Sequence, residues 1–390
     1  MKSLLTVFLL LCLSTFSYGQ LGLTAFPFTI HNSNVRSLSL GNATVSLQGI
    51  DGDYHVNPAG IGVSNIVQVK GMYERFGRGE HSIGLMGISY EVGRSSFGLS
   101  FRKLTQGGQI LLEDRLRRIG RLAGEEHYIS GVYNYRLSQG LRLGVGMNYM
   151  NANGSFSQAI ATRLDKVEGF SFDIGAVYEN SFKLNNRHIL RTSFGFSLTD
   201  FGAGLEYHTN RSTDPLPTIL KIGTGLAYES NREWKGFNLF DVSLMTNVSK
   251  LLSRKELRIS GSDTSFVALP PFRQLIESWE AYEFFNGQQN VSVGLKDQLW
   301  YHVGIEVTFL SALSLRFGFE NAAEIEEDFS YRSFGLGIDL YYINFDYAYL
   351  HVIEEGAFNR GYYRHGNHWS IRGRIPLNGK SERTLLELIF

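Results

Sequence analysis

Apolar and polar residues alternate with a period of two, in segments of about ten residues that recur from residue 64 to residue 377. Residues 141–149 and 334–340 show the pattern clearly: every second side chain is apolar, and those between are small, polar or charged. A period of two is typical of a β-strand with one apolar face. The sequence therefore predicts an all-β protein whose many apolar strand faces must be covered.

Fourteen segments of this kind can be counted along the chain. Their approximate bounds are residues 65–75, 81–91, 95–104, 127–137, 140–150, 169–179, 188–198, 217–229, 237–249, 299–309, 312–320, 329–339, 342–351 and 367–377. The connections between them alternate between short and long, apart from short connections at 77–80 and 321–328 where long ones are expected. Residues 105–126 and 250–298 are two of the predicted long connections.

Two architectures contain strands of this type. A soluble sandwich turns its apolar faces toward each other, whereas a transmembrane barrel turns them toward lipid. The connections favour the barrel, because outer-membrane barrels have short connections at one end and longer ones at the other. Aromatic residues at segment ends, such as Tyr149 and Tyr178, point the same way. The predicted fold is an antiparallel transmembrane β-barrel of about fourteen strands with an N-terminal plug.

The beginning of the chain has the features of a secretory signal peptide. Lys2 precedes the apolar run 4–13, and Ser17 and Gly19 provide the small residues that a cleavage site needs. The apolar run is too short for a membrane-spanning helix. Export combined with a barrel fold predicts a place in the bacterial outer membrane. The single cysteine, Cys12, lies in this leader, so no disulfide is expected in the mature chain.

The pattern divides the chain into four parts. These are a signal peptide at 1–19, a plug at 20–63, the barrel with its extracellular loops at 64–377, and a C-terminal tail or closing strand at 378–390. The last choice stays open, because residues 384–390 also alternate and end in Phe390. An even number of strands, with both chain ends on the periplasmic side, favours residues 367–377 as the closing strand.

Charged residues recur at the polar positions of the strands. Nine are predicted to face the lumen: Arg102, Arg142, Asp173, Arg191, Lys221, Asp241, Glu306, Arg316 and Asp339. Their signs are nearly balanced, which favours a salt-bridged lumen that holds the plug; a lined path for a ligand or an ion is the alternative. Over the whole chain 37 basic residues balance 37 acidic ones, so no net field attracts nucleic acid.

No constellation in the sequence predicts catalysis. The glycine-rich pieces lack the spacing of a phosphate-binding loop, and no Gly-x-Ser-x-Gly motif occurs. His365 and His368 have no third ligand nearby in sequence, and solvated loop histidines are the simpler interpretation. We predict a protein that is not an enzyme and that has no metal and no cofactor.

The longest connection contains a candidate contact surface. Leu275, Trp279 and Tyr282 recur at helical spacing after two prolines, which predicts a short amphipathic helix within residues 272–284. Exposed aromatic side chains are suited to protein contact. The alternative, in which this helix folds back to cap the mouth of its own barrel, is equally open.

Several short motifs resemble known outer-membrane barrels. The first, which we call the plug motif, consists of Asn57, Pro58, Ala59 and Gly60. It looks like the turn that ends the plug of FadL-type barrels just before their first strand. Residues 216–223 and 294–306 are similar to the PorV group of Bacteroidetes within that superfamily. Taken in order, the motifs resemble a divergent PorV-like member over most of the mature chain.

This resemblance implies a barrel of the type IX secretion system that acts by protein contact. Its partners would be the secretion translocon, exported cargo or surface-attachment proteins. The alternative, implied by the wider FadL-type group, is a transporter that captures a hydrophobic small molecule of the long-chain fatty acid type and releases it past the plug. Both interpretations place the protein in outer-membrane lipid.

Overall fold

Fourteen antiparallel strands form a closed barrel in the computed structural model of the chain. We number them in chain order: β1 Ile66–Phe76, β2 His81–Val92, β3 Ser95–Glu113, β4 Arg117–Arg136, β5 Leu141–Phe156, β6 Val167–Asn185, β7 His188–Phe201, β8 Ile219–Ser230, β9 Phe240–Leu251, β10 Leu299–Phe309, β11 Leu313–Asn321, β12 Phe329–Asp339, β13 Ile343–Glu355 and β14 Gly366–Pro376. Each strand pairs with the next, and β14 closes the ring on β1 with Pro376 opposite Ile66. The predicted all-β barrel and its strand number are confirmed.

The structure describes most of the chain. The described residues are 24–30, 32–49, 54–62, 66–76, 81–113, 117–156, 167–185, 188–206, 213–230, 233–234, 237–260, 263–285, 290–321, 329–340, 342–355 and 366–376. The predicted signal peptide, residues 1–19, and the predicted tail, residues 378–390, lie outside these ranges. Within the ranges, no helix has the length and apolar character needed to cross a bilayer.

The side chains of each strand sort between two faces. In β6, Phe170, Phe172 and Ile174 are about half exposed, whereas Ser171 and Asp173 between them are buried. Consecutive residues of a strand point to opposite faces, so the exposed set lies on the outside of the barrel and the buried set in the lumen. An outer surface this apolar is suited to contact with acyl chains.

The hairpin of β3 and β4 extends far beyond its predicted ends. The sequence predicts a connection over residues 105–126, yet β3 continues to Glu113 and β4 begins at Arg117. Their pairing passes through two irregularities and ends with Glu113 opposite Arg117. The prediction was wrong there because lipid imposes the alternation only where a strand crosses the apolar region. Backbone hydrogen bonds extend a hairpin in any solvent.

An irregularity in β7 changes which residues face the lumen. Leu198 pairs with Ile174 of β6, but the next pair joins Phe201 to Phe172, so β7 contains one extra residue over this interval. Asp200 has a φ of 54° and is 0% exposed. This β-bulge directs Asp200 into the lumen and returns Phe201 to the outer face, beside Phe172.

Residues 24–30, 32–49 and 54–62 lie inside the barrel, and we call them the lumen segment. Their regular elements are the helix α1, Val35–Ser39, and the 3₁₀ turns Pro27–Thr29 and Pro58–Gly60. The segment approaches inward-facing glycines around the ring, with contacts of Pro58 on Gly144, Val45 on Gly195, Leu40 on Gly304 and Ser39 on Gly335. Strands on several sides of the barrel therefore enclose it.

The two ends of the lumen segment lie at opposite ends of the barrel. The Ala25 amide donates a 2.9 Å hydrogen bond to the carbonyl of Pro215, in the connection between β7 and β8. We call this the long-loop end. Gly62 lies beside Glu91 and Arg142, at what we call the short-turn end. The segment thus runs the length of the lumen before the chain enters β1.

Gly304 tests how closely the segment packs on the wall. A Cβ at this position would lie 2.6 Å from the carbonyl oxygen of Leu40. We expect Gly304→Val to lower the unfolding temperature, because overpacking costs about 1–3 kcal/mol. The measurement is the temperature at which the compact gel band converts to the slow, unfolded band.

Gly131→Val is the matched control for this experiment. A Cβ on Gly131 meets no atom within 4 Å, and its pairing partner Leu99 is exposed on the outer face. This variant should unfold at the native temperature. Equal unfolding temperatures for the two variants would contradict the contact between Leu40 and β10.

Candidate functional site

The lumen wall has an apolar zone in its long-loop half, which we call the apolar layer. It is formed by inward-facing side chains of Met72, Ile83, Leu85, Leu104, Met150, Ala152, Val167, Tyr331, Ala348 and Leu350. All of them are buried and belong to one cluster. The zone also contains a close polar contact, 3.1 Å between His368 Nδ1 and Glu74 Oε2. Such a lining would be unfavourable in a water-filled pore, because apolar side chains are stabilised when an apolar group, not water, covers them.

Two phenylalanines of the lumen segment occupy the apolar layer. Phe26 and Phe28 belong to the same buried cluster and are 0% and 4% exposed. Their ring centroids are 6.4 Å apart. Phe26 adopts a φ of 52°, which is uncommon for a non-glycine residue, and the Thr29 amide donates to its carbonyl. A tight turn therefore holds both rings in the mouth of the barrel.

Arg102 marks the inner boundary of this layer. Its guanidinium carbon lies 5.7 Å from the centroid of the Phe28 ring and 4.6 Å from that of Tyr128. Arg102 is 1% exposed. Stacking on two aromatic faces lets a buried guanidinium adjoin apolar side chains. Below this boundary the inward-facing residues are mostly polar.

A buried polar network joins the lumen segment to the bulge in β7. His55 Nε2 lies 2.5 Å from Asp200 Oδ2, while Tyr128 and Ser171 donate to Asp200 Oδ1 at 3.0 and 2.9 Å. Asp173 accepts from the Asp200 amide at 2.7 Å. Three wall residues thus bind Asp200, and Asp200 in turn contacts one histidine of the segment. Because the bulge brings Asp200 inward, it creates the attachment point for His55.

A second attachment is a chain of buried ion pairs. Arg36 of α1 donates two hydrogen bonds to Glu306, at 3.1 and 2.7 Å. Arg316 donates to Glu306 at 2.5 Å and to Asp346 at 2.7 Å. Two guanidinium groups and two carboxylates therefore alternate across β10, β11 and β13. This arrangement fixes α1 against the wall.

The plug motif packs against β4, β5 and β6. Asn57 caps the 3₁₀ turn by accepting from the Ala59 amide at 2.9 Å, and its side-chain amide donates to the carbonyls of Val45 and Ala176. Asn134 of β4 donates to the Ala59 carbonyl at 2.6 Å. All four residues of the motif, Asn57, Pro58, Ala59 and Gly60, are buried. The motif is a compact turn in the part of the lumen segment that lies toward the short-turn end.

All nine predicted lumen charges lie on inward-facing positions, but they form separate groups. Glu306 and Arg316 share the ion-pair chain described above, and Arg102 and Asp173 flank the Asp200 network. The remaining contacts are Arg142 with Glu91 at 3.1 Å, Arg191 with Glu229 at 2.6 Å, and Asp339 with Arg374 at 2.8 Å. Lys221 and Asp241 are partly buried. The charges do not form one continuous path.

A cavity of about 210 Å³ lies between the lumen segment and strands β6 to β9. Its lining combines charged side chains, such as Arg36, Glu179 and Arg191, with apolar ones, such as Leu47 and Met245. The charged side chains distinguish this cavity from the apolar layer at the other end.

The long connection between β9 and β10 differs from its prediction. The helix α2 covers only Pro271–Glu277, and Tyr282 begins a short strand, Tyr282–Phe285. Tyr282 is 7% exposed, beneath the guanidinium of Arg254 at 5.4 Å. The predicted stripe is not formed: Leu275 is partly buried, and Trp279 alone of the three is exposed, at 40%. The helix ends early because residues 282–285 pair with residues 290–293 instead.

Sequence reasoning missed the apolar layer and the bulge. The sequence did contain a signal for the apolar layer. Near the long-loop end, apolar residues occupy both the odd-numbered positions, Ile83 and Leu85, and the even-numbered position Met86, so both faces of that strand are apolar. Among the residues that the structure describes, no three histidine, cysteine, aspartate or glutamate side chains are grouped as a metal site.

Comparison with known proteins gives structural matches only. No family model and no curated protein sequence matches the chain. The toluene transporter TbuX of Ralstonia pickettii is similar with a TM-score of 0.45 and 10% identity, over 88% of this chain and 96% of TbuX. A Pseudomonas aeruginosa FadL homologue gives 0.41 and 12%, over 92% and 100% of the two chains. The toluene transporter TodX of P. putida gives 0.45 and 11%, over 88% and 97%.

Glu306→Gln tests the ion-pair chain that holds α1. The substitution leaves Arg36 and Arg316 without their shared carboxylate, and breaking a buried pair costs about 3–5 kcal/mol. We expect the free energy of unfolding in urea, followed by tryptophan fluorescence in lipid vesicles, to fall by about that amount. Glu256→Gln is the control, because Glu256 pairs with Arg258 and Arg273 at exposed positions. A loss below about 1 kcal/mol for both variants would show that the chain does not anchor α1.

Proposed function

We propose that the protein is an outer-membrane channel that admits a hydrophobic small molecule at its long-loop end. The observation that carries this proposal is the apolar layer, an interior zone of a barrel lumen lined by Leu, Ile, Met and Val side chains. In the structure this zone is covered by Phe26 and Phe28 of the lumen segment, so a ligand would enter it by displacing those two rings. A hydrophobic ligand would gain by entering it.

The lumen segment supplies the gate of this channel. Phe26 and Phe28 occupy the volume that the ligand would take, and burying each ring contributes about 1.5–3 kcal/mol. A ligand of similar apolar area offsets that loss when it displaces the turn. The rest of the segment stays in place through His55 and Arg36, which hold it to the wall below. Opening therefore starts at the long-loop end.

The membrane location has independent support. The chain begins with a predicted export signal, and the barrel presents half-exposed apolar side chains on its outer face, such as Phe172 and Ile174. Such a barrel pairs its backbone groups between strands, as a structure in hydrocarbon must do. A bacterial outer membrane satisfies both requirements, with the short-turn end facing the periplasm.

Phe28→Ala tests the proposed gate. Removing this ring should increase the affinity for N-phenyl-1-naphthylamine, an apolar fluorescent probe, by about tenfold or more, since at least about 1.5 kcal/mol of competing burial is removed. The measurement is a fluorescence titration of the full chain in phosphatidylcholine vesicles, corrected for probe in protein-free vesicles. Leu350→Asn, which makes the wall of the apolar layer polar, should weaken binding.

The matched control is Tyr54→Ala. It removes a buried ring of the same segment, but one that packs on Ile61 and Val132 outside the apolar layer. Its affinity for the probe should equal that of the native protein. If Phe28→Ala and Tyr54→Ala bind the probe equally, the apolar layer is not the binding site.

The second candidate is the PorV-like role in type IX secretion. One observation favours it: Trp279 is 40% exposed on the longest connection of the barrel, with its indole N–H bonded to the Leu275 carbonyl at 2.9 Å. A rigid, exposed tryptophan is a common anchor for a protein partner. The partner would be a translocon subunit or a surface-attachment protein.

Trp279→Ala tests this second candidate. If it is right, secretion-translocon subunits copurify with the native barrel after gentle extraction and are lost from the variant. Trp234→Ala is the control, because Trp234 is 49% exposed in the connection at the short-turn end. Identical sets of proteins recovered with all three chains, measured by mass spectrometry, would remove the support that Trp279 gives.

A further inference from the structure

The helix α2 carries the most exposed apolar side chains of the long connection. Phe272 is 74% exposed and Ile276 is 75% exposed. They are four residues apart, so both lie on one face of the helix. On the opposite face Gln274 and Ser278 are buried, and Gln274 donates to the Leu269 carbonyl at 2.5 Å. The helix is therefore fixed on its polar side and presents its apolar side outward.

The position of α2 follows from a ring contact with the barrel. The centroids of Phe272 and Phe201 are 5.3 Å apart, with the rings at 69°. Phe201 shares the outer face with its pairing partner Phe172, which is 53% exposed. The apolar side of α2 is thus continuous with the apolar outer surface of the barrel.

The contact between Phe272 and Phe201 lies near the long-loop edge of the apolar outer surface of the barrel. Tyr149 and Phe170, a pair with centroids 5.3 Å apart, lie on the outer face two residues beyond Phe172 along β6. Their neighbour Glu168 accepts a 2.7 Å hydrogen bond from the Tyr149 hydroxyl. An aromatic belt followed by a carboxylate marks the boundary between acyl chains and the polar headgroup region. Phe272 lies near that boundary.

The charged residues of α2 suit the same location. Arg273 donates to Glu277 at 2.6 and 3.0 Å, and this pairing holds the pKa of Arg273 above its ordinary value. Glu256 lies 3.3 Å from the same guanidinium. The charges beside the apolar face are therefore paired with one another and leave no isolated charge among them near the acyl chains.

We propose that α2 is an interfacial anchor whose Phe272 and Ile276 side chains enter the acyl chains of the surrounding leaflet beside Phe201. The occupant of this surface is lipid, because the surface continues the lipid-facing wall of the barrel. The anchor holds one side of the longest connection at the rim. It requires neither a transported ligand nor a protein partner, and so stands apart from both proposed functions.

Fluorescence quenching of a labelled cysteine tests the anchor. The sequence contains a single cysteine, Cys12, in the predicted leader, so an introduced one can be labelled alone. Ile276→Cys in the full barrel is labelled with a nitrobenzoxadiazole group and reconstituted in phosphatidylcholine vesicles. We expect strong quenching by lipid carrying a doxyl group near the headgroup, and a several-fold lower iodide quenching constant than at an aqueous position.

Two controls define the scale. Met86→Cys on β2, where the native side chain is 65% exposed on the outer face, reports a lipid-facing position. Lys296→Cys, an exposed position of the same connection, reports an aqueous one. Heat-modifiable gel mobility checks that each labelled barrel is folded, and Phe272→Cys repeats the measurement one turn away.

The result has three possible forms. Quenching of the Ile276 and Phe272 labels by doxyl lipid, as at Met86, supports the anchor. Iodide quenching as strong as at Lys296 overturns it, because the face then meets water. Quenching by neither agent also overturns it, because the face would then be covered by protein, such as a second copy of the chain.

Discussion

Closure of the hydrogen-bonded ladder is the constraint on which the rest of the structure depends. Strand β14 returns to β1, so none of the fourteen barrel strands is an edge strand with unpaired backbone groups. In hydrocarbon each unpaired group costs several kcal/mol, so a sheet in lipid must close. Closure then creates an inside and an outside, and each strand must supply side chains for two solvents. The period of two in the sequence is the direct result.

The inside of the ring is filled mainly by the chain's own N-terminal residues. The lumen segment meets the wall through glycines where its backbone comes close, through His55 and Arg36, which contact wall carboxylates, and through Phe26 and Phe28 in the apolar layer. These contacts differ in character along the axis. Those near the short-turn end are mainly polar, whereas those near the long-loop end are mainly apolar. The two ends of the lumen therefore differ in chemical character.

How much of this the sequence predicts depends on which solvent a residue meets. The bounds predicted for β10 and β12 agree with the structure, because lipid imposes strict alternation on them. The hairpin beyond residue 104 was missed, since backbone pairing alone carries no side-chain signature. Tyr282 was assigned to a helix, although local strand pairing decides its position. The candidate site was least predictable, because it depends on which distant residues meet inside the ring, as His55 and Asp200 do.

The single extra residue in β7 has a consequence for how the interior and the surface communicate. Asp200 and Phe201 are consecutive, and their Cα atoms are only about 3.8 Å apart. One of them holds His55 inside the lumen, and the other touches Phe272 at the rim. A single peptide unit therefore separates the contact with the lumen segment from the contact with α2. A displacement of the backbone at the bulge would move both contacts at once, because the two residues that make them share one peptide bond.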